Sequence, residues 1–180
     1  FVWMLLASFM TRGESLRRAF LPDQLQWGNY TQAWREADFG LYFENSLIIA
    51  ALQVIGTLLF SLLAAYPLAR MEFTGRDAVF TGVLATLMIP ETVTIVPNFL
   101  TVTWLHRNTP ISWLNSWPAQ TIPFMASAFS IFLLRQFMRG IPSELWDSAR
   151  IDGAGHARFL FQILLPLCRA PLLTVGMFTY

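Results

Sequence analysis

The sequence predicts an all-α fold, a polytopic bundle of membrane helices, and three observations carry that prediction. Of 180 residues, 55% are hydrophobic and only 13% charged, with a mean hydropathy of +0.49; soluble domains carry about 25% charged residues. Residues 45–69, NSLIIAALQVIGTLLFSLLAAYPLA, run without a single charge, and about 20 apolar residues suffice to cross a bilayer as a helix. No segment alternates apolar and polar residues as a barrel strand must, and a lipid-spanning chain is either helical or a closed barrel.

The elements follow in chain order. Residues 1–10, FVWMLLASFM, are too short to span and read as the end of a truncated membrane helix; a signal-peptide core would want a basic flank and a cleavage site, which are missing. Residues 11–44 hold charges, Pro22, Trp27, Tyr30 and Trp34 and read as a solvent-facing or interfacial loop. The clearest span, 45–69, is followed by the polar turn 70–77, RMEFTGRD. A second span is expected over 78–102, with Glu91, Pro90 and Pro97 inside it, and a third over 118–134, ending at Arg135 and Arg139. Residues 140–166 interrupt the apolar pattern, and a further apolar run begins at Leu167. That gives three full spans and two partial ones in one transmembrane domain, residues 1–180, read as a fragment because it begins at Phe1 and stops at Tyr180 inside an apolar run. Placing 70–77 and 135–169 on one side collects seven arginines against five on the other, so the positive-inside rule puts the polar interruption in the cytoplasm.

Several functions are excluded. All twelve basic residues are arginine, so there is no P-loop lysine to reach a phosphate and no lysine for Schiff-base chemistry. A net charge of +1 gives no electrostatic case for nucleic acid. His106 and His156 have no ligand spacing, which argues against a metal, and the single Cys168 cannot form an internal disulfide. An intramembrane enzyme would need a nucleophile with a base, or paired acids at depth; the sequence has neither Gly-x-Ser-x-Gly nor His-Glu-x-x-His.

The polar interruption reads as a helix, a glycine turn and a second helix. In IPSELWDSAR, Pro142 suits a helix start, Ser143 can cap, and Glu144 and Asp147 fall in the first turn, where the helix dipole favours anions. Asp147 and Arg150 are spaced to pair, and Leu145, Trp146 and Ala149 form a small apolar patch. Gly153 and Gly155 end the helix and permit a reversal. HARFLFQILL then restarts with apolar Phe159, Leu160, Ile163 and Leu164 on one face, and Pro166 stops it. An amphipathic hairpin lying at the interface explains the second helix; the small apolar patch of the first suits a protein groove instead.

Residues 144–166, ELWDSARIDGAGHARFLFQILLP, resemble the EAA signature of bacterial ABC-importer permeases. Glu144 and Leu145 open it, Trp146 fills the variable place, and Asp147, Ser148 and Ala149 stand in the Glu-Ala-Ala places. Asp152, Gly153 and Ala154 follow, and Ile163, Leu165 and Pro166 close the signature after its nine-residue spacer. Asp147 for Glu and Ser148 for Ala are the departures, and both keep the chemical character. The stretches NSLIIA, LLAAYPLARMEFTGRD, MIPETVTIVPNF and AFSIFLLRQFMRGIPSELWDSARIDGAG are similar to the carbohydrate-importing, maltose-type branch over roughly residues 40 to 180. The resemblance implies the ABC importer type I permease fold, of six spans. It also implies a subunit that does no covalent chemistry and binds no cofactor, because a separate cytoplasmic ATPase dimer holds ATP and receives the loop 140–166 as a coupling helix. An unlike second permease, an external solute-binding protein, a sugar or oligosaccharide cargo and surrounding lipid complete the implied partners, in the bacterial inner membrane. A polyol or glycerol-phosphate cargo fits the same signature, although an anionic cargo would want arginines in its path.

The residues named for a substrate path are Glu91, Asn98, Gln120, Ser127 and Ser130. Glu91 either faces that path or satisfies backbone donors freed by the prolines. The hydroxyls and amides either bind sugar or join helices. Trp27, Trp34, Trp104, Trp113 and Trp117 read as interfacial anchors.

Overall fold

The computed structural model describes residues 1–17 and 20–179, with the backbone alone at Glu91. The described residues form helices and no strand, and they divide into two compact units, Phe1–Ile48 and Ile49–Tyr180.

The first unit holds α1 (Val2–Ser8), α2 (Arg12–Leu16) and α3 (Gly28–Glu36). The expected loop 11–44 is therefore largely helical, and Arg18 lies outside the described residues. Thr11 and Glu14 form a capping box that starts α2, satisfying donors a helix start leaves open. Asn29 Nδ2 donates to the carbonyls of Ser8 and Met10, at 3.0 Å each, and the Phe9 ring lies 4.8 Å from Trp27 and 5.3 Å from Tyr30.

The long apolar run becomes α4 (Phe39–Arg70), 32 residues. At 1.5 Å per residue it is about 48 Å long, more than the hydrocarbon core of about 30 Å. Pro67 is tolerated near its end. The helix stops where its last carbonyls lose intrahelical donors; one arginine supplies such a donor, and another, at the helix end, ties α4 to the chain beyond it. Arg135 Nε donates to the Leu68 carbonyl at 3.0 Å, while its guanidinium sits 3.6 Å from the Phe80 ring centroid. Arg70 reaches forward to the Ile141 carbonyl.

The expected span 78–102 is broken. It consists of α5 (Arg76–Thr86) and α6 (Glu91–Asn108), separated by tight turns in which Leu87, Met88 and Ile89 each donate three residues back. Pro90 then has no N–H to continue the ladder and takes an extended ψ of 137°. Pro97 lies inside α6 without ending it, so of the two prolines only the first breaks the chain.

The span expected over 118–134 is also discontinuous. α7 (Trp117–Thr121) and a 3₁₀ turn meet α8 (Ala128–Arg139) with a 48° bend. After the hairpin helix α9 (Glu144–Ile151), α10 (His156–Leu167) bends by 79° into α11 (Arg169–Thr179). Pro166 does not end α10; the bend comes at Cys168. Upstream of the proline, Leu160–Leu164 widens into a π-turn, where the missing Pro166 N–H would leave the Gln162 carbonyl without its helical donor.

α4 is the one described helix long and apolar enough to cross a membrane by itself, and the two bent pairs qualify if each counts as a single span. The core of the second unit gathers Leu62, Ala65 and Tyr66 from α4, Leu134 and Met138 from α8, Ala149 from α9, Phe159, Leu160 and Leu164 from α10, and Val175 from α11. Large apolar side chains remain exposed on α6, among them Ile95, Val96, Phe99 and Leu100, each at least 60%. Such a surface needs an apolar surrounding.

Candidate functional site

The hairpin 140–166 forms as a helix, a turn and a helix. Ser143 stands at the start of α9 in helical conformation and makes no side-chain cap; its carbonyl accepts from the N–H groups of Trp146 and Asp147 instead. Glu144 and Asp147 occupy the exposed first turn as expected. No ion pair joins Asp147 to Arg150 among the described residues. Both are solvated, and holding two long exposed side chains together gains little. Ser148 Oγ folds back onto the Glu144 carbonyl at 2.8 Å.

The turn after α9 is a Schellman closure. Gly153 N–H donates to Arg150 at 3.0 Å and Ala154 N–H to Ala149 at 2.8 Å, with Asp152 as the last partly helical residue and Gly153 at φ +77°. Gly155, at φ −82° and ψ 174°, is ordinary extended backbone. The reversal depends on one glycine, not two.

The expected apolar patch divides between two environments. Ala149 is buried, and Trp146 lies flat on His156 (4.5 Å, 18° between planes) and edge-on to Phe159 at 4.9 Å. Both face the chain's own second helix. Leu145, 40% exposed, and Ile151, 86% exposed, remain outside with Glu144, Asp147, Ser148 and Asp152. Ile163 and Leu165 are half-buried and Pro166 exposed.

The second feature is a cavity of about 730 Å³ in the second unit, within the range of about 300–1,000 Å³ common for small-molecule sites. It lies where both breaks meet: Thr86, Leu87, Ile89 and Pro90 line it from one, Pro123, Phe124, Ala126 and Ser127 from the other. Non-helical backbone at membrane depth is tolerated where it is buried in protein or lines a wet cavity, so the breaks and the cavity explain each other.

Of the residues named from sequence, Asn98, Ser127 and Ser130 line the cavity. Gln120 is exposed and does not, and the Glu91 side chain lies outside the described residues. Ser127 caps α8, accepting from Ser130 N at 3.2 Å and Ser130 Oγ at 2.9 Å. Two accepted bonds leave its own hydroxyl proton free to donate into the cavity. Sequence reading passed over Gln53 and Thr57, which α4 contributes to the lining. With Ser61 they recur every fourth residue, a polar stripe inside an uncharged run, and that was the available signal. Thr57 Oγ1 and Ser61 Oγ are buried without a hydrogen-bond partner. Several other helical hydroxyls fold back one turn, as Thr81, Thr101 and Thr174 do. Among the described residues no charged side chain lines the cavity and no cluster of metal ligands occurs.

Comparison with known proteins bears on both features. The chain is 37% identical over 182 residues to the diacetylchitobiose uptake system permease protein NgcG of Streptomyces coelicolor, covering 99% of this chain and 58% of that protein. It is 35% identical over 166 residues to the sn-glycerol-3-phosphate transport system permease protein UgpE of Yersinia enterocolitica, covering 89% and 57%. The chain thus spans less than three-fifths of the length of these relatives. A bacterial ABC transporter involved in the import of the acidic polysaccharide alginate shares the fold, with a TM-score of 0.83 at 22% identity over 99% of this chain and 61% of that one. Residues 57–179, which carry the hairpin and nearly the whole cavity lining, match the binding-protein-dependent transport system inner membrane component, and to that family the chain belongs.

Proposed function

We propose that the chain is the membrane-spanning, multi-pass permease of an ATP-driven importer that carries a neutral sugar or oligosaccharide across the bacterial inner membrane. An external solute-binding protein delivers the cargo, an unlike permease completes the path, and a cytoplasmic ATPase dimer docks on the hairpin 140–166. The observation that carries the reading is the cavity at the two helix breaks, lined by Gln53, Thr57, Asn98, Ser127 and Ser130. Amides and hydroxyls match the donors and acceptors of a carbohydrate and position it through many modest bonds. The outward edge of α9, with Glu144, Leu145, Asp147 and Ile151, supplies the docking surface, a mixed polar and apolar helix edge of the kind that lies in a groove on a partner.

A second reading, import of a glycerol-phosphate compound, is favoured by the relative of that name. A phosphate would want guanidinium groups that match its geometry, and the described lining offers none. The discriminating experiment is uptake by the assembled importer of labelled N,N′-diacetylchitobiose, maltose and glycerol 3-phosphate. Uptake of a neutral saccharide, lowered by Asn98→Ala, is the expected result; preferential uptake of glycerol 3-phosphate would sink the neutral-cargo reading. Asp147→Lys tests docking separately: transport should fall while the permease stays folded, and unchanged ATPase assembly with unchanged stimulated hydrolysis would refute the docking role.

A further inference from the structure

The importer reading assigns a docking surface to the hairpin and a path to the cavity, and leaves open what joins them. α4 touches both. Its Gln53 and Thr57 line the cavity, and nine residues further on, about 13 Å along the axis, its Tyr66 hydroxyl meets His156 Nδ1 at 2.7 Å. Tyr66 is 5% exposed. His156 belongs to α10 and stacks on Trp146 of α9, so the bond from α4 reaches both arms of the hairpin. One turn on, Arg70 donates to the Ile141 carbonyl, just before α9.

Two attachments do what one cannot. A hairpin held at Ile141 alone could swivel about that point. The core that Leu62 and Ala65 share with Leu160 and Leu164 is apolar, non-directional and permits sliding. A second, directional bond at His156 fixes the hairpin's orientation about α4, so that a push on α9 turns the helix instead of flexing the turn.

Resting on the importer reading, we infer that Tyr66 is a positioning residue. With Arg70 it fastens the ATPase-docking hairpin to α4 and makes α4 the element that carries hairpin motion to the cavity wall at Gln53 and Thr57.

The test uses the assembled importer, with the permease carrying Cys168→Ser and a single reporter, Ala126→Cys, in the cavity lining. Maleimide alkylation of the reporter is timed with and without ATP plus vanadate, and ATPase co-purification is scored on the same samples. In the parent, ATP plus vanadate should change the alkylation rate. Tyr66→Phe keeps the ring and removes the hydroxyl; the response should shrink about two- to tenfold, the range for one neutral hydrogen bond, with the ATPase still bound. His156→Phe, which keeps a ring against Trp146, should do the same, and the double variant should be no worse than either single one. An unchanged response in Tyr66→Phe, additive losses in the double variant, or loss of the ATPase from the complex would each overturn the inference. A parent with no ATP-dependent response would instead refute the importer reading beneath it.

Discussion

Replacing Gly153 by alanine isolates what the hairpin turn requires. Gly153 stands at φ +77°, and a Cβ built there meets nothing within 4 Å. The substitution therefore carries no steric penalty, only the cost of holding an L-residue in the left-handed region, about 1–2 kcal/mol. Gly155, two residues on, is the internal control: it too has open space around its Cα, but its φ of −82° suits any residue. Gly155→Ala should be neutral or stabilising by up to about 1 kcal/mol, because alanine narrows the unfolded ensemble. The assay is amide hydrogen exchange in detergent at Gly153 and Ala154, whose N–H groups close the turn on Arg150 and Ala149. With about 1.4 kcal/mol per tenfold, Gly153→Ala should speed local opening by roughly 5- to 30-fold, and Gly153→Asn by less, since asparagine tolerates this conformation better. Equal effects of the two alanine substitutions would show that backbone conformation is not why glycine is needed at 153.

Two further predictions concern the ends of helices. Arg135→Met removes a charged hydrogen bond to the Leu68 carbonyl and the contact over Phe80, a loss of about 2–4 kcal/mol, visible as a lowered thermal midpoint in detergent; Asp77, 3.5 Å away but 75% exposed, adds little, and an unchanged midpoint would refute the capping role. The Glu14 carboxyl is hydrogen-bonded by the Thr11 hydroxyl and N–H and by Asp23 N–H, which hold it at about 2 against an ordinary 4.5. Because the folded value is depressed, its stabilisation is present above about pH 4.5 and lost as the pH falls towards 2; protection of the Asp23 amide should follow that window and lose its pH dependence in Glu14→Gln.

The sequence discloses α4 and the hairpin because both are written in local terms: an uncharged run, and a polar segment with a glycine in the one place that needs it. The helix breaks are half legible. Pro90 and Pro97 carry the same local penalty, yet only Pro90 stands at a break, as the residue just before α6, while α6 continues through the bond that Pro97 lacks. The bend before Ser127 has no proline at the break itself, and the capping of α8 by Ser127 marks it only once the helix start is known. Periodicity placed Leu145, Trp146 and Ala149 on one patch but could not say what covers it. That depends on His156 and Phe159, which reach Trp146 only after the chain reverses. Gln53 and Thr57 are hard to see for the opposite reason: inside so apolar a run the mean hydropathy stays high despite them, and only their four-residue spacing sets them apart.

The end of α4 gives a physical reason for arginine at position 135. Positive-inside counting treats Arg70 and Arg135 as interchangeable cationic markers for the cytoplasmic side. In the folded chain Arg135 does something a lysine head cannot. Arg135 donates through Nε to a carbonyl, presents Nη2 to Asp77 and lays its guanidinium plane over Phe80. Arg70 Nη2 must reach past the end of its own helix to Ile141. The planar fork of Arg135 meets its simultaneous demands, whereas an ammonium is a compact, strongly hydrated point charge. The same two side chains can thus set the orientation of α4 during insertion and later fix its end, Arg135 by capping the Leu68 carbonyl and tying it to α8, Arg70 by tying it to the start of the hairpin. Arg135→Lys preserves the first role and compromises the second, so topology and stability should separate in that variant.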